Sequence, residues 1–236
     1  MIVGSGMIAR GFAPHQGALA GLCVYAAGVS NSACTDAREF GRERQRVLAA
    51  MADRPARELF VYFSTCSIGD PAAQASDYVR HKLAMEQIVA QRARHLILRL
   101  PQLAGATPNP HTLLNYLYAR IVRSERFEVW RGASRNIIDV DDVVRVALDL
   151  IAHESASGET INIANTTSSS ALEIVAAMEA ATGHAAIFDI IERGAGYAID
   201  TSRIQSSLRR LPLSFSDDYL RRTISKYYRA HVSPAT

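Results

Sequence analysis

Phe60-Val61-Tyr62-Phe63-Ser64-Thr65-Cys66 is followed, a turn later, by Asp77-Tyr78-Val79-Arg80-His81-Lys82. The first run is continuously apolar and rich in aromatic and β-branched residues, which predicts a buried strand over 58–64 that delivers Thr65 at its end. Gly69-Asp70-Pro71 then turns the chain, and a helix is expected from Asp77 to about residue 93, with Leu83, Met85, Ile88 and Val89 facing inward. Tyr78 and Lys82 lie four residues apart, so on a helix the hydroxyl and the ammonium share one face. A free tyrosine, with a pKa of about 10, is a poor base at neutral pH, and a neighbouring cation favours the phenolate and lowers that value. A Ser or Thr at the end of an adjacent strand holds a substrate oxygen against such a phenol. The pattern therefore predicts a strand-helix pair carrying acid/base chemistry.

Towards the N-terminus, Met1-Ile2-Val3 reads as a short buried strand entering Gly4-Ser5-Gly6-Met7-Ile8-Ala9. Glycines at a strand-to-helix corner allow a tight turn and close backbone approach, and the free N–H groups of the helix start suit a pyrophosphate. The next strand is expected over 22–27, ending in Gly28-Val29-Ser30-Asn31-Ser32. Only about a dozen residues separate it from the first helix, where a complete dinucleotide fold inserts two further strands and an acidic residue about 20 positions on for the ribose. The adenosine wall, and the residue that distinguishes NAD from NADP, are thus expected to be missing. Residues 36–53 have helical composition, with Phe40, Val47, Leu48 and Met51 as a buried stripe and Pro55 as the stop.

Towards the C-terminus, a strand is expected over 95–100, then the loop Pro101-Gln102-Leu103-Ala104-Gly105, a helix over 112–122 and an alternating strand over 127–130. Ser134-Arg135-Asn136-Ile137-Ile138-Asp139-Val140-Asp141-Asp142-Val143 leads into a helix over 142–152, where Asp141 and Asp142 suit the helix dipole better than catalysis. A strand over 160–164 follows. Thr and Ser at 166–170 cap a helix that runs to about residue 181 and stops at Gly183; a strand over 185–191 and helices over 204–211 and 217–228 complete the pattern.

At 236 residues the chain can bury a sizeable core as one domain with a smaller lobe, and its 48% hydrophobic content is ordinary for a globular protein. A net charge of +3 with dispersed basic residues argues against nucleic acid as a partner and suits an anionic small ligand. Cys23, Cys34 and Cys66 have no metal spacing, the histidines are scattered, and a reduced cytoplasmic setting without a metal site is expected. The longest apolar stretch, 18–29, is shorter than the roughly 18 residues that argue for a membrane span, and no signal peptide is expected.

The segment 60–86 resembles the active-site segment of the extended short-chain dehydrogenase/reductases, the epimerases, dehydratases and reductases of nucleotide-linked sugars. The resemblance extends to the glycine corner, to the Ala26-Ala27-Gly28 loop, to Pro101-Gln102 and to the Arg135 segment, and it spans nearly the whole chain. It implies a doubly wound, Rossmann-like α/β fold with a parallel sheet reduced in strand number. The dinucleotide-binding part would be 1–105 and 136–165, and the substrate lobe 106–135 and 166–236. It further implies Thr65 as catalytic hydroxyl, Tyr78 as acid/base and Lys82 as the cation that lowers the Tyr78 pKa and holds the ribose. Gly4, Ser5, Gly6, Met7, Ile8, Ala26, Ala27, Gly28, Ser64, Pro101 and Gln102 would line NAD or NADP, together with Tyr78 and Lys82. Asn115 and Arg135 would contact a nucleotide sugar, although a surface ion pair explains Arg135 almost as well. Dehydratases of this family carry Asp-Glu after the threonine, where this chain has Cys66-Ser67. The implied activity is therefore reduction or epimerisation of a nucleotide-linked sugar, of the kind that feeds polysaccharide biosynthesis. A non-catalytic dinucleotide or metabolite sensor, or a scaffold subunit, is the alternative on the same fold. The helices 36–53 and 77–93 resemble those through which family members dimerise, and a plain core stripe fits them as well.

Overall fold

A computed structural model describes residues 1–153 and 157–229. In chain order the elements are β1 (Ile2–Val3), α1 (Met7–Phe12), β2 (Leu22–Tyr25), α2 (Ala37–Ala52), β3 (Leu59–Thr65), α3 (Asp77–Ala90) and β4 (His95–Leu100). They continue with β5 (Gln102–Ala104), α4 (Leu113–Val122), β6 (Phe127–Trp130), β7 (Ser134–Arg135), β8 (Ile137–Asp139), α5 (Val140–Ala152) and β9 (Glu159–Asn162). The last are β10 (Ser169–Ser170), α6 (Ala171–Thr182), β11 (Phe188–Ile191), α7 (Gln205–Arg210) and α8 (Tyr219–Tyr228). Two compact units result. One comprises Met1–Pro101, Val140–Ala164 and Ala198–Leu213; the other comprises Gln102–Asp139, Asn165–Tyr197 and the described residues from Ser214 on. Ala198–Leu213 thus packs with the first unit, whereas the sequence places it in the substrate lobe, because Arg210 of α7 pairs with Asp149 of α5 and Asn162 of β9 donates to the Asp200 carbonyl.

The first unit is built on a five-stranded parallel sheet in the order β1-β2-β3-β4-β9. All seven residues of β3 are buried, as a central parallel strand covered on both faces requires. β1 is an edge: among the described residues no strand pairs with its outer side, so the two strands that would build an adenosine wall are absent there. Two of the expected stripes need correction. On α2, Val47 is buried but Leu48 is 40% exposed; on α3, Met85 and Val89 are buried but Leu83 is 37% exposed. The faces that pack inward instead carry polar groups, namely Glu43 on α2 and Tyr78, Lys82 and Glu86 on α3.

The second unit has three short two-stranded pairings: β5 with β8 and β6 with β11, both parallel, and β7 with β10, antiparallel. Residues 101–105, expected as a loop, thus include a strand. The core of this unit gathers Leu114, Leu117 and Ile121 of α4 with Ile174, Val175 and Met178 of α6 and Ile224 and Tyr228 of α8. α6 starts with a reciprocal capping box between Ser170 and Glu173 and stops at Gly183 in the left-handed conformation, as its sequence predicts. Asp139 accepts hydrogen bonds from Lys226 and Tyr227 at 2.7 Å each, which ties α8 to the end of β8. Among the described residues no helix is long and apolar enough to cross a membrane.

Candidate active site

Thr65 ends β3, and its hydroxyl accepts the Ser67 N–H at 3.1 Å, capping a single helical turn over Cys66–Gly69. Ser76 then caps α3 by accepting the Val79 N–H at 3.1 Å. With the helix start held there, Tyr78 and Lys82 both face inward, and both are buried. The Thr65 hydroxyl lies close enough to the Tyr78 hydroxyl to favour its ionised form, so these two predicted residues meet. Burial raises the Tyr78 pKa above its ordinary value; the neighbouring Thr65 hydroxyl opposes that shift, and the nearby Glu43 charge adds to it.

Lys82 is not directed at Tyr78. Its Nζ donates to the Glu43 carboxylate at 3.1 Å, to the Tyr62 hydroxyl at 3.0 Å and to the Phe63 carbonyl at 3.3 Å. The expected depression of the Tyr78 pKa by this cation is therefore absent from the structure: the ammonium is engaged elsewhere and the phenol is held protonated. Burial lowers the Lys82 pKa, and Glu43 opposes that shift.

Glu43, Tyr62 and His81 are the site residues that sequence reasoning missed. The Glu43 carboxylate lies at the end of β2, where its Oε2 accepts the Val29 N–H at 2.7 Å and the His81 Nε2 proton at 2.9 Å. Its Oε1 accepts the Tyr62 hydroxyl at 2.6 Å beside Lys82. Burial alone would raise the Glu43 pKa, but His81, Lys82, Tyr62 and Val29 together hold it down to about 2. The His81 ring stacks on Phe40, with centroids 4.4 Å apart. A signal for Glu43 existed in the sequence: with Phe40 and Val47 it follows the 3,4 spacing of one helical face.

The glycine corner meets the same strand ends. Gly4 has φ +123, and a Cβ on it would lie 2.5 Å from the Ala26 carbonyl oxygen, so glycine is required both for conformation and for space. Gly6 precedes α1, which has no side-chain cap and no acidic residue in its first turn; a Cβ on Gly6 would meet nothing within 4 Å. Ser5 accepts from Arg10 through its carbonyl at 3.1 Å, while Met7 and Ile8 form the first turn of α1 and are half-buried. Gly28 sits where a Cβ would approach both Glu43 Oε1 and Lys82 Nζ to 2.8 Å. Ser64 is buried, and its hydroxyl has no partner among the described residues. Open space at Gly6, an uncapped helix start and an orphaned hydroxyl fit a dinucleotide along the ends of β1 and β2.

Pro101 follows β4 in the first unit and Gln102 opens β5 in the second, where its N–H is bound to the Asn136 carbonyl at 3.1 Å. Asn115 is structurally engaged: its amide donates to the Thr107 and Asn109 carbonyls at 2.9 and 2.8 Å and accepts from Tyr228 at 2.7 Å. Arg135 lines a cavity of about 550 Å3 within the second unit, together with Tyr116, Arg120, Arg126, Phe127 and Trp130. Among the described residues Arg135 makes no ion pair; it donates to the Ser134 carbonyl at 2.7 Å.

A parallel sheet with a glycine corner at its first strand, and a buried Tyr-x-x-x-Lys helix against a Thr-ending strand, define a nucleotide-binding α/β fold of the short-chain dehydrogenase/reductase type. The chain belongs to the NAD dependent epimerase/dehydratase family, whose model matches residues 26–164, and the nicotinamide cofactor expected from the sequence is the one that the family description names. Among solved structures it is similar to RMD from Pseudomonas aeruginosa complexed with NADPH, at 18% identity over 88% of this chain and 82% of that one, with a TM-score of 0.68. It is likewise similar to UDP-glucuronic acid 4-epimerase from Bacillus cereus in complex with NAD, at 17% identity over 88% and 71% of the two chains, with a TM-score of 0.67. A third is dTDP-glucose 4,6-dehydratase from Bacillus anthracis in complex with NAD, at 15% identity over 93% and 77%, with a TM-score of 0.67. Among curated proteins no sequence matches.

Proposed function

We propose that the protein is an NAD- or NADP-dependent reductase or epimerase of a nucleotide-linked sugar, with Tyr78 as the proton-transferring group. The observation that carries this reading is the buried Tyr78 of α3 set beside Thr65 at the end of β3. A bound nicotinamide would supply or accept hydride at the sugar carbon. Thr65 orients the phenol, whose proton then points towards a ligand oxygen. Burial raises the Tyr78 pKa further above neutrality, so the protonated phenol is available as an acid towards a keto oxygen. Elimination of water has no support at the neighbouring positions. Burial pushes the Cys66 thiol up to about 12, the Ser67 N–H serves Thr65, and the Glu43 carboxylate is ionised with its acceptor positions filled.

In the second unit, the Arg135 cavity combines guanidinium groups with Tyr116, Phe127 and Trp130, a composition suited to a base and a diphosphate. Arg120 and Arg126 pair with Glu125 and Asp189, so Arg135 is the best-placed phosphate contact of the three. A homodimer through α2 and α3 belongs to the same proposal. The exposed Leu48 and Leu83 would lie on that surface.

The test is NAD(P)H oxidation with a panel of keto nucleotide sugars. Tyr78→Phe should lower turnover by about 10²–10⁴-fold while leaving cofactor binding in place. A second reading, a non-catalytic dinucleotide or metabolite sensor, is favoured by the engagement of Lys82 with Glu43. Tight cofactor binding without turnover on any sugar tested would select it.

A further inference from the structure

The hydrogen-bonding capacity at Lys82 is filled from within the chain. An ammonium has three protons, and those of Lys82 face Glu43 Oε1, Tyr62 Oη and the Phe63 carbonyl. A carboxylate has about four acceptor positions, and Glu43 fills them with Val29 N–H, His81 Nε2, Tyr62 Oη and Lys82 Nζ. The side chains of Glu43 and Lys82 are 1% and 3% exposed, so water does not compete for either. Gly28 lies against both groups, and any larger residue there would push them apart.

We propose that Glu43 is an intramolecular competitor for the Lys82 ammonium: a ligand that brings vicinal hydroxyls to Lys82, such as the ribose of a dinucleotide, must first displace the Glu43 carboxylate. This rests on the proposed function for the ligand, but not for the hold itself. Glu43 is a positioning residue. It keeps the ammonium away from Tyr78, and dinucleotide binding has to break a charge-assisted hydrogen bond before making its own. Displacing only the Lys82 contact leaves Glu43 with its Val29, Tyr62 and His81 hydrogen bonds but takes away its cation, a cost that the ligand's own bonds to Lys82 must offset.

Lys82 and Lys226 are the two lysines of the chain, which makes the hold directly observable. Lysine-selective 15N labelling should show the Lys82 ammonium as a slowly exchanging signal in the wild type. In Glu43→Gln, which keeps the shape and removes the charge, exchange should quicken, and the NADH dissociation constant should fall about tenfold. Glu43→Asp, which keeps the charge but draws it back by one methylene, should lie between the two and serves as the second variant if Glu43→Gln folds poorly. Equal Lys82 exchange in wild type and variants would overturn the proposal, as would unchanged or weaker NADH binding once the charge is removed. If no protein in the series binds NAD(H) or NADP(H), the nicotinamide reading fails, and the Lys82 exchange rates still decide whether Glu43 holds the cation.

Discussion

The Glu43–Lys82 cluster of the first unit and the arginine-lined cavity of the second place similar charges in opposite surroundings. In the first, both partners are buried and every proton and lone pair has a named recipient. In the second, Arg126 and Asp189 are 62% and 55% exposed, and the Arg131–Glu192 pair is equally open. A buried pair has no water to replace a lost partner, so it is rigid and costly to break. An exposed pair is screened and re-formable, which leaves its guanidinium available to a ligand. Under the proposed function, charge in the first unit would set which groups are free to react, whereas in the second it would offer a receptive surface.

The largest effect expected from breaking this contrast is at Lys82. Lys82→Met should destabilise the protein by about 3–5 kcal/mol because it strands the Glu43 carboxylate, whereas Arg126→Ala should cost under about 1 kcal/mol. Urea denaturation of the two variants measures both, and equal losses would remove the contrast.

Acid should separate the regions next. A carboxyl held down to about 2, against an ordinary value of 4.5, contributes stability that is complete above the ordinary value and is lost as pH falls through the lowered one. Tyr25 of β2, Tyr62 of β3 and Tyr78, His81 and Lys82 of α3 all face or influence this group. Between about pH 4.5 and about pH 2 the wild type should lose up to roughly 3 kcal/mol that Glu43→Gln never had. Parallel denaturation curves of the two proteins across that window would show the network to be weaker than its geometry implies.

The smallest effect concerns the open region. Arg135→Ala should weaken nucleoside diphosphate binding about tenfold, roughly 1.4 kcal/mol, with little change in melting temperature. Calorimetry with UDP against uridine checks it, since loss of affinity for both alike would point to the cavity shape and not to a phosphate contact.

Much of this was legible in the amino-acid order. The fully apolar β3, the glycine corner, the Ser170 box and the i,i+4 placement of Tyr78 and Lys82 are local patterns governed by backbone geometry and burial period. Those reach only a few residues along the chain, and that is why they can be read from it. The missing strands were legible too, from the short spacing between α1 and β2, and the sheet has β1 at its edge accordingly. What only the tertiary structure decided is the partner of each charge. Glu43 and Lys82 are 39 residues apart on different helices, and the same Lys82 could have served Tyr78, a ligand or a carboxylate. Leu48 and Leu83 fit a buried stripe by composition, yet the faces that turned inward were those of Glu43 and Lys82. Helical periodicity leaves the choice of face to packing, and an ion pair forms only where the fold brings two charges together without water.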